Sequence, residues 1–371
     1  MPSVSAPSRD PSAAARAVLA ASLGVTRIAR ITGLDRLGVE VASAIRPGGH
    51  VLQVTNGKGT SRGMAALGAL LEAAELVGAE RARLDRWGDE ASLAARGTAV
   101  IGPGALDPAL GEEARRVRIA WRLGEDLVAG GPVLVPAQAV HCPPPDGPSL
   151  GPALLSWTSN GMGAHTSVAA AVLHGVLELA ERDQLARAFP EGFTEREVRR
   201  RLLDPASLVA AAPEAAGLAL ELEARGLRVM LLDATGELGL PCAAALLLEP
   251  EGPVPLAAGY ACRTGRDRAL VAALHEACQS RATEIHGARE DVDEAGEREE
   301  ELDVPLIQGR RDAAAMPDLR VTTPEKALKA VLARFAKAGI GQVAAVPLDA
   351  PAGFHVVRAV APGMLVSPLL M

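Results

Sequence analysis

Hydrophobic and polar positions change rhythm several times along this chain, and each rhythm predicts an element. Between residues 25 and 54, short β-branched runs alternate with turn residues, as in TRIARITGLDRLG and PGGHVLQVTNGKG. That pattern predicts strands joined by loops. Residues 61–81 keep apolar positions at helical spacing through an alanine-rich segment, which predicts a long helix. The prolines of HCPPPDGPSLGP (141–152) make that stretch a rigid loop. A second long helix is predicted over 167–189, with Ser167 as its N-cap, and a third over 266–283. Residues 227–250 read as two buried strands around a turn, and PEKALKAVLARFAKAGI as an amphipathic helix. VAAVPLD and FHVVRAVAP supply two last strands. Residues 1–12, rich in Ser and Pro, read as a flexible N-terminus, and 13–371 as a single domain. Helices and strands mix without strict βαβ alternation, so the predicted class is α+β.

Composition narrows the function. Of the 371 residues 49% are hydrophobic but only 2% aromatic, so the core must be built from Ala, Leu and Val. A net charge of -7 argues against sequence-independent binding to nucleic-acid phosphates. No segment approaches the roughly 18 uninterrupted apolar residues of a membrane-spanning helix. Arg9, Asp10 and Arg16 break the apolar run a signal peptide needs. The four cysteines form no CxxC and fit a reducing compartment. Together these features point to a cytoplasmic protein with neither nucleic acid nor membrane as partner. The run EDVDEAGEREEELD, within an acidic segment of about 287–318, reads as a solvated surface loop.

The candidate chemistry lies in a pattern shared by the three long helices. They carry Glu72/Glu75, Glu178/Glu181 and Glu276/Gln279, each pair three residues apart and therefore on one helix face. Towards the N-terminus that face holds small residues or His: Ala65, Gly68 and Ala69; Ala171, His174 and Gly175; Ala269, Ala272 and Ala273. Small residues permit close packing, so the acids stand at the end of a packed face. A single such pair is ordinarily solvated; three in matching register suggest a shared polar site. Carboxylates gathered there stay ionised only if cations compensate. Mg2+ suits them, since it bridges one or two carboxylates to nucleotide phosphates. Arg182 and Arg281, beside their motifs, could add donors for a phosphate.

Other signals are weaker. TNGKGTS fails as a phosphate loop, because Gly59 follows Gly57-Lys58 where Ser or Thr is needed. It reads as a turn entering a helix, with Lys58 a candidate phosphate contact. His174 reads as a satisfied core histidine. No catalytic acid, base or nucleophile stands out.

These same residues resemble the YcaO family, in order along almost the whole chain. TRIARITGLDRLGVEV is similar to the family's opening, TNGKG with ALLEAAE to its first acidic helix, and WRLGEDLVAGGPVLVPAQAV to its middle strands. SNG with LHGVLELAERD is similar to the second acidic helix, ALHEACQSRATEIHGARED to the third, and GELGLP and FHVVRAVAPGM to the closing motifs. The resemblance implies a nucleotide site in which Glu72, Glu75, Glu178 and Glu181 hold Mg2+ against ATP, with Arg182 and Arg281 on the phosphates. It also implies O-phosphorylation of a peptide backbone amide in ribosomal peptide modification, giving an azoline, thioamide or amidine. Leu76 stands where the family has Arg, Gly163 and Thr166 replace its small polar and Asn positions, and VSPLLM replaces a proline-rich tail. The match leaves no segment for a leader-binding domain, so a leader-binding or TfuA-like partner is expected to deliver the precursor peptide. A homodimer is compatible with this. The contrasting reading is an ATP-binding accessory protein that assists another enzyme's modification.

Overall fold

The computed structural model describes residues 12–289 and 309–370. Helix α1 (Ala13–Ser22) precedes a three-stranded antiparallel sheet of β1 (Arg27–Arg30), β2 (Glu40–Ile45) and β3 (Val54–Gly59), followed by α2 (Arg62–Glu80). Short elements come next: β4 (Arg86–Gly88), α3 (Glu90–Ala94), β5 (Ala99–Val100) and α4 (Pro103–Leu106). Strands β6 (Ile119–Asp126), β7 (Pro132–Pro136) and β8 (Met162–His165) lead into α5 (Val168–Ala188). Three helices, α6 (Glu195–Arg201), α7 (Pro205–Ala211) and α8 (Pro213–Ala224), connect to a second three-stranded sheet. It consists of β9 (Arg228–Asp233), β10 (Cys242–Leu248) and β11 (Leu256–Cys262), and α9 (Arg266–His286) follows. Helix α10 (Pro324–Lys337), β12 (Ala344–Leu348) and β13 (His355–Val360) come last. The large sheet runs β5-β7-β6-β12-β13-β8, with β4 paired to β6. The architecture is α+β, as the mixed rhythm predicts.

The long helices start where their caps require. Ser61 and Ser167 accept hydrogen bonds from the Met64 and Ala170 amides, which would otherwise be unpaired at the first turns of α2 and α5. Helix α9 runs to His286, beyond the predicted 283, and stops at Gly287 in the left-handed conformation. One expectation is corrected. TNGKG is the end of strand β3 rather than a turn, because it pairs with β2 from Val54↔Ile45 to Gly59↔Glu40. In the predicted acidic surface loop, residues 290–308 lie outside the described residues. Most of its other residues are exposed, and the segment is anchored where Arg311 bonds Asp233 at 2.7 Å and where Ala313 and Met316 are buried.

One device recurs three times. Strands β3, β8 and β11 are each the edge strand of their sheet, and each is followed directly by a long helix packed against it. At each seam a strand glycine lets the two backbones touch. A Cβ on Gly57 would lie 2.3 Å from the Ala65 oxygen and 2.1 Å from the Ala69 nitrogen. On Gly163 it would lie 2.2 Å from the Ala171 oxygen, and on Gly259 2.3 Å and 2.1 Å from the Ala273 oxygen and Ala277 nitrogen. The small-residue stripes of the helices are therefore seams against glycine strands. Each helix also reaches the next unit's edge strand: α2 touches β8, α5 touches β11 and α9 touches β3. The three units close in a cycle around one centre.

Candidate functional site

The carboxylates of α2 and α5 occupy that centre because of the seams. Glu72 lies three residues beyond the seam residue Ala69, and Glu178 three beyond Gly175. Both reach back to their own strand unit: Asn56 N donates to Glu72 Oε2 at 2.8 Å, and Gly161 N to Glu178 Oε2 at 3.1 Å. One turn on, Glu75 and Glu181 cross to the next unit, where the Ala164 amide bonds Glu75 and Cys262 N donates to Glu181 Oε2 at 2.9 Å. Edge strands carry amides that no neighbouring strand can take, and these acids accept them.

The third helix obeys the geometry with a shifted register. Its seam residues are Ala273 and Ala277, so Ser280 and Thr283, not Glu276 and Gln279, correspond to the two acids of α2 and α5. Thr283 makes the matching crossing, accepting a bond from Asn56 Nδ2 at 3.0 Å. The register drawn from Glu-x-x-Gln is thus corrected by one turn. Glu276 nevertheless joins the site, paired with Lys58 Nζ of β3 at 3.0 Å.

Electrostatics tie the acids together. Burial, with Glu178 and Glu72 beside it, pushes the Glu75 carboxyl well above the usual range. Burial carries Glu178 up to about 7, against the pull of Arg182. Glu181 is raised by burial and by Glu276, with Arg182 and Arg263 acting the other way. Burial works against Glu276 too, but Lys58 and Arg182 outweigh it and hold that carboxyl below the usual range. Glu181 is 7% exposed and Glu72 30%, so the site is closed at its floor and open at its rim.

Of the basic residues expected here, Arg182 is in place. Its Nη2 lies 3.7 Å from Glu181, its Nη1 donates to the Leu370 carbonyl at 3.2 Å, and its guanidinium lies over the Tyr260 ring. Arg281 is not, and its assignment to a phosphate is corrected. It is fully buried, with Nε on Asp35 at 2.9 Å, Nη1 on the Val254 carbonyl at 2.8 Å and Nη2 on Glu249. A guanidinium fully buried and neutralised by two carboxylates is not presented to a nucleotide. Lys58, read as a phosphate contact, lies at the site against Glu276. His174, read as a core histidine, is corrected: its side chain is exposed at the site, where desolvation by the crowded surroundings, with Arg263 and Lys58 beside it, lowers its pKa to about 4 and keeps it neutral.

Three cations near the acids escaped the sequence reading: Arg263 just after β11, Arg358 within β13, and Arg289, whose Nη1 is 3.8 Å from Glu72. Arg358 did leave a signal, a charge in the middle of the apolar strand HVVRAV.

Among the described residues, no three His, Cys, Asp or Glu side chains converge enough to hold a metal ion by themselves. Mg2+ does not require that, because it takes one or two carboxylates and completes its shell with phosphate and water oxygens. The donor set fits it: oxygen ligands only, in desolvated carboxyls whose charge a divalent cation would balance. Among the described residues no helix is long and apolar enough to cross a membrane.

A family model described as YcaO cyclodehydratase, ATP- and Mg2+-binding, matches residues 56–365. The chain belongs to the YcaO family. ATP and Mg2+ are the cofactors of that family. An uncharacterized relative from Methanothermobacter thermautotrophicus is 31% identical over 361 residues, covering 92% of this chain and 90% of its own. Another, from Rhizobium leguminosarum bv. trifolii and described as lying in the tfuA 3′ region, is 29% identical, covering 92% and 84%. Two solved structures share the fold. A heterocyclase in complex with substrate and cofactor superposes with a TM-score of 0.71 at 21% identity, covering 92% of this chain and 50% of that one. YcaO from Methanopyrus kandleri, bound with AMPPCP and Mg2+, gives 0.64 at 23% identity, covering 95% and 88%. The chain thus spans about half the length of the heterocyclase.

Proposed function

We propose that the chain is an enzyme that uses ATP and Mg2+ to phosphorylate the oxygen of a peptide backbone amide, in the modification of a ribosomally made peptide. The observation that carries this reading is the meeting of Glu72, Glu75, Glu178 and Glu181 from two helices, with Lys58, Arg182 and Glu276 at their edge. Membership of an ATP- and Mg2+-binding family supports it. Bound with Mg2+, ATP supplies the phosphoryl group that turns the amide oxygen into a leaving group. Glu72, Glu75, Glu178 and Glu181 would hold Mg2+ with one or two carboxylates to an ion, each carboxylate steered by a backbone amide. Lys58 and Arg182 add positive charge where phosphate charge accumulates, and the closed floor limits water. A leader-binding or TfuA-like protein delivering the precursor peptide is part of the proposal, supported by the relative in the tfuA 3′ region.

The test is to incubate the protein with ATP, Mg2+, the peptide encoded beside it and any TfuA-like companion, then to weigh the peptide. Loss of one water marks an azoline or amidine, and exchange of oxygen for sulfur marks a thioamide. Neither change, with no ADP formed, rejects the reading. Glu72→Gln and Glu178→Gln are expected to lower ATP turnover at least ~100-fold with the fold intact. Wild-type turnover in both variants would end the site assignment.

A further inference from the structure

Two buried arginines are treated in opposite ways. Arg281 has each of its guanidinium nitrogens bonded to an acceptor. Arg358, in mid-β13 opposite Met162 of β8, is 7% exposed, yet among the described residues its Nε and Nη1 find no hydrogen-bond partner. Burying a guanidinium without acceptors costs several kcal/mol, so a chain that keeps one there has a use for it. Burial lowers its pKa only to about 10, and it remains a cation at neutral pH.

Two groups act on this cation. The Trp157 ring lies beneath it, 6.0 Å from guanidinium carbon to ring centroid. Glu178 is the carboxylate whose charge supports it, without an ion-pair contact among the described residues. Asn160 precedes the Gly161 amide that holds Glu178, and its Oδ1 is also buried without a donor among the described residues.

Charge balance identifies what would satisfy Arg358. If Glu178 is engaged by a divalent cation, its charge no longer compensates the guanidinium, and the cation adds repulsion. The arriving ligand must therefore bring negative charge together with the metal. Acceptor oxygens must come with that charge, and a phosphoryl group carries several on one charged centre where a carbonyl offers a single neutral one. We propose that Arg358 binds the terminal phosphoryl group of the nucleotide from the β13 side of the site. This assignment rests on the reading given under Proposed function, and it makes Arg358 the discriminator between triphosphate and diphosphate.

The test measures binding of Mg2+-AMPPCP and Mg2+-ADP to the full chain by calorimetry, for wild type, Arg358→Gln and Arg358→Lys. In Arg358→Gln the Kd for AMPPCP is expected to rise ~10- to 100-fold, while that for ADP stays within about threefold. Arg358→Lys should recover only part of the loss, since an ammonium cannot form the fork. Without ligand, Arg358→Gln should melt no earlier than wild type, because a buried guanidinium with two unbonded nitrogens has gone. A structural role predicts the reverse: earlier melting and equal weakening of both nucleotides, and that result overturns the assignment. Unchanged AMPPCP affinity in Arg358→Gln overturns it as well, with the nucleotide site itself intact. A wild-type protein that binds neither nucleotide overturns the functional reading together with it.

Discussion

Glu178 keeps its proton to about pH 7 in the folded chain, whereas an unfolded chain releases it near 4.5. Between those values the folded protein binds more protons than the unfolded one, so stability falls as pH rises through the window. Below about 4.5 both states are protonated and this contribution is flat. Burial pushes Glu75 and Glu181 the same way and steepens the fall. Metal-free protein is therefore expected to melt at lower temperature as pH is raised from about 5 to about 7, and Glu178→Gln should flatten part of that slope. Melting curves across a pH series check this; an unchanged slope in the variant would count against the cluster. Arg281 behaves otherwise. Arg281→Met takes the guanidinium from buried Asp35, leaves Glu249 with Arg36 alone, and is expected to cost about 3 kcal/mol in urea unfolding, while nucleotide affinity of the folded protein is unaffected. A selective loss of affinity without loss of stability would restore it to the nucleotide site.

The seams decide what each element tolerates. Gly259→Ala drives a Cβ to 2.1 Å from the Ala277 nitrogen of α9, where neither backbone can yield. Its expected cost is about 3 kcal/mol or more, read from denaturant unfolding. Gly217, exposed in α8, has open space within 4 Å of where a Cβ would stand, so Gly217→Ala should instead stabilise by about 0.5–1 kcal/mol. The long helices and their small-residue faces were legible because period and composition are local properties. The register of α9 was not: which turn meets Gly259 depends on how β11 packs, and Glu-x-x-Gln imitates the acid pairs of the other helices one turn early. The pairing of Lys58 with Glu276, 218 residues apart, and the sequestering of Arg281 by Asp35 and Glu249 are likewise tertiary facts. Glycine in β3 looked like turn chemistry because nothing local reveals that a helix backbone lies against it.

At the scale of the whole molecule, three sheets present their edge strands to one site, so a ligand there touches all three units at once. Mg2+-AMPPCP is expected to slow amide exchange together at Asn56, Gly161, Ala164 and Cys262, which face the acids. The distant pair β5 and β7 should be little changed. Hydrogen–deuterium exchange with mass readout separates this from a ligand held by one unit, which would protect only one of the stretches. The backbone-to-backbone seams also bear on how such a protein can change. A side-chain interface absorbs replacements by rotating neighbours, but two main chains in contact leave nothing to rotate. Sequence drift is thereby pushed to the outer strands and short helices, and anyone retuning the grip on nucleotide must work beside the glycines, never at them.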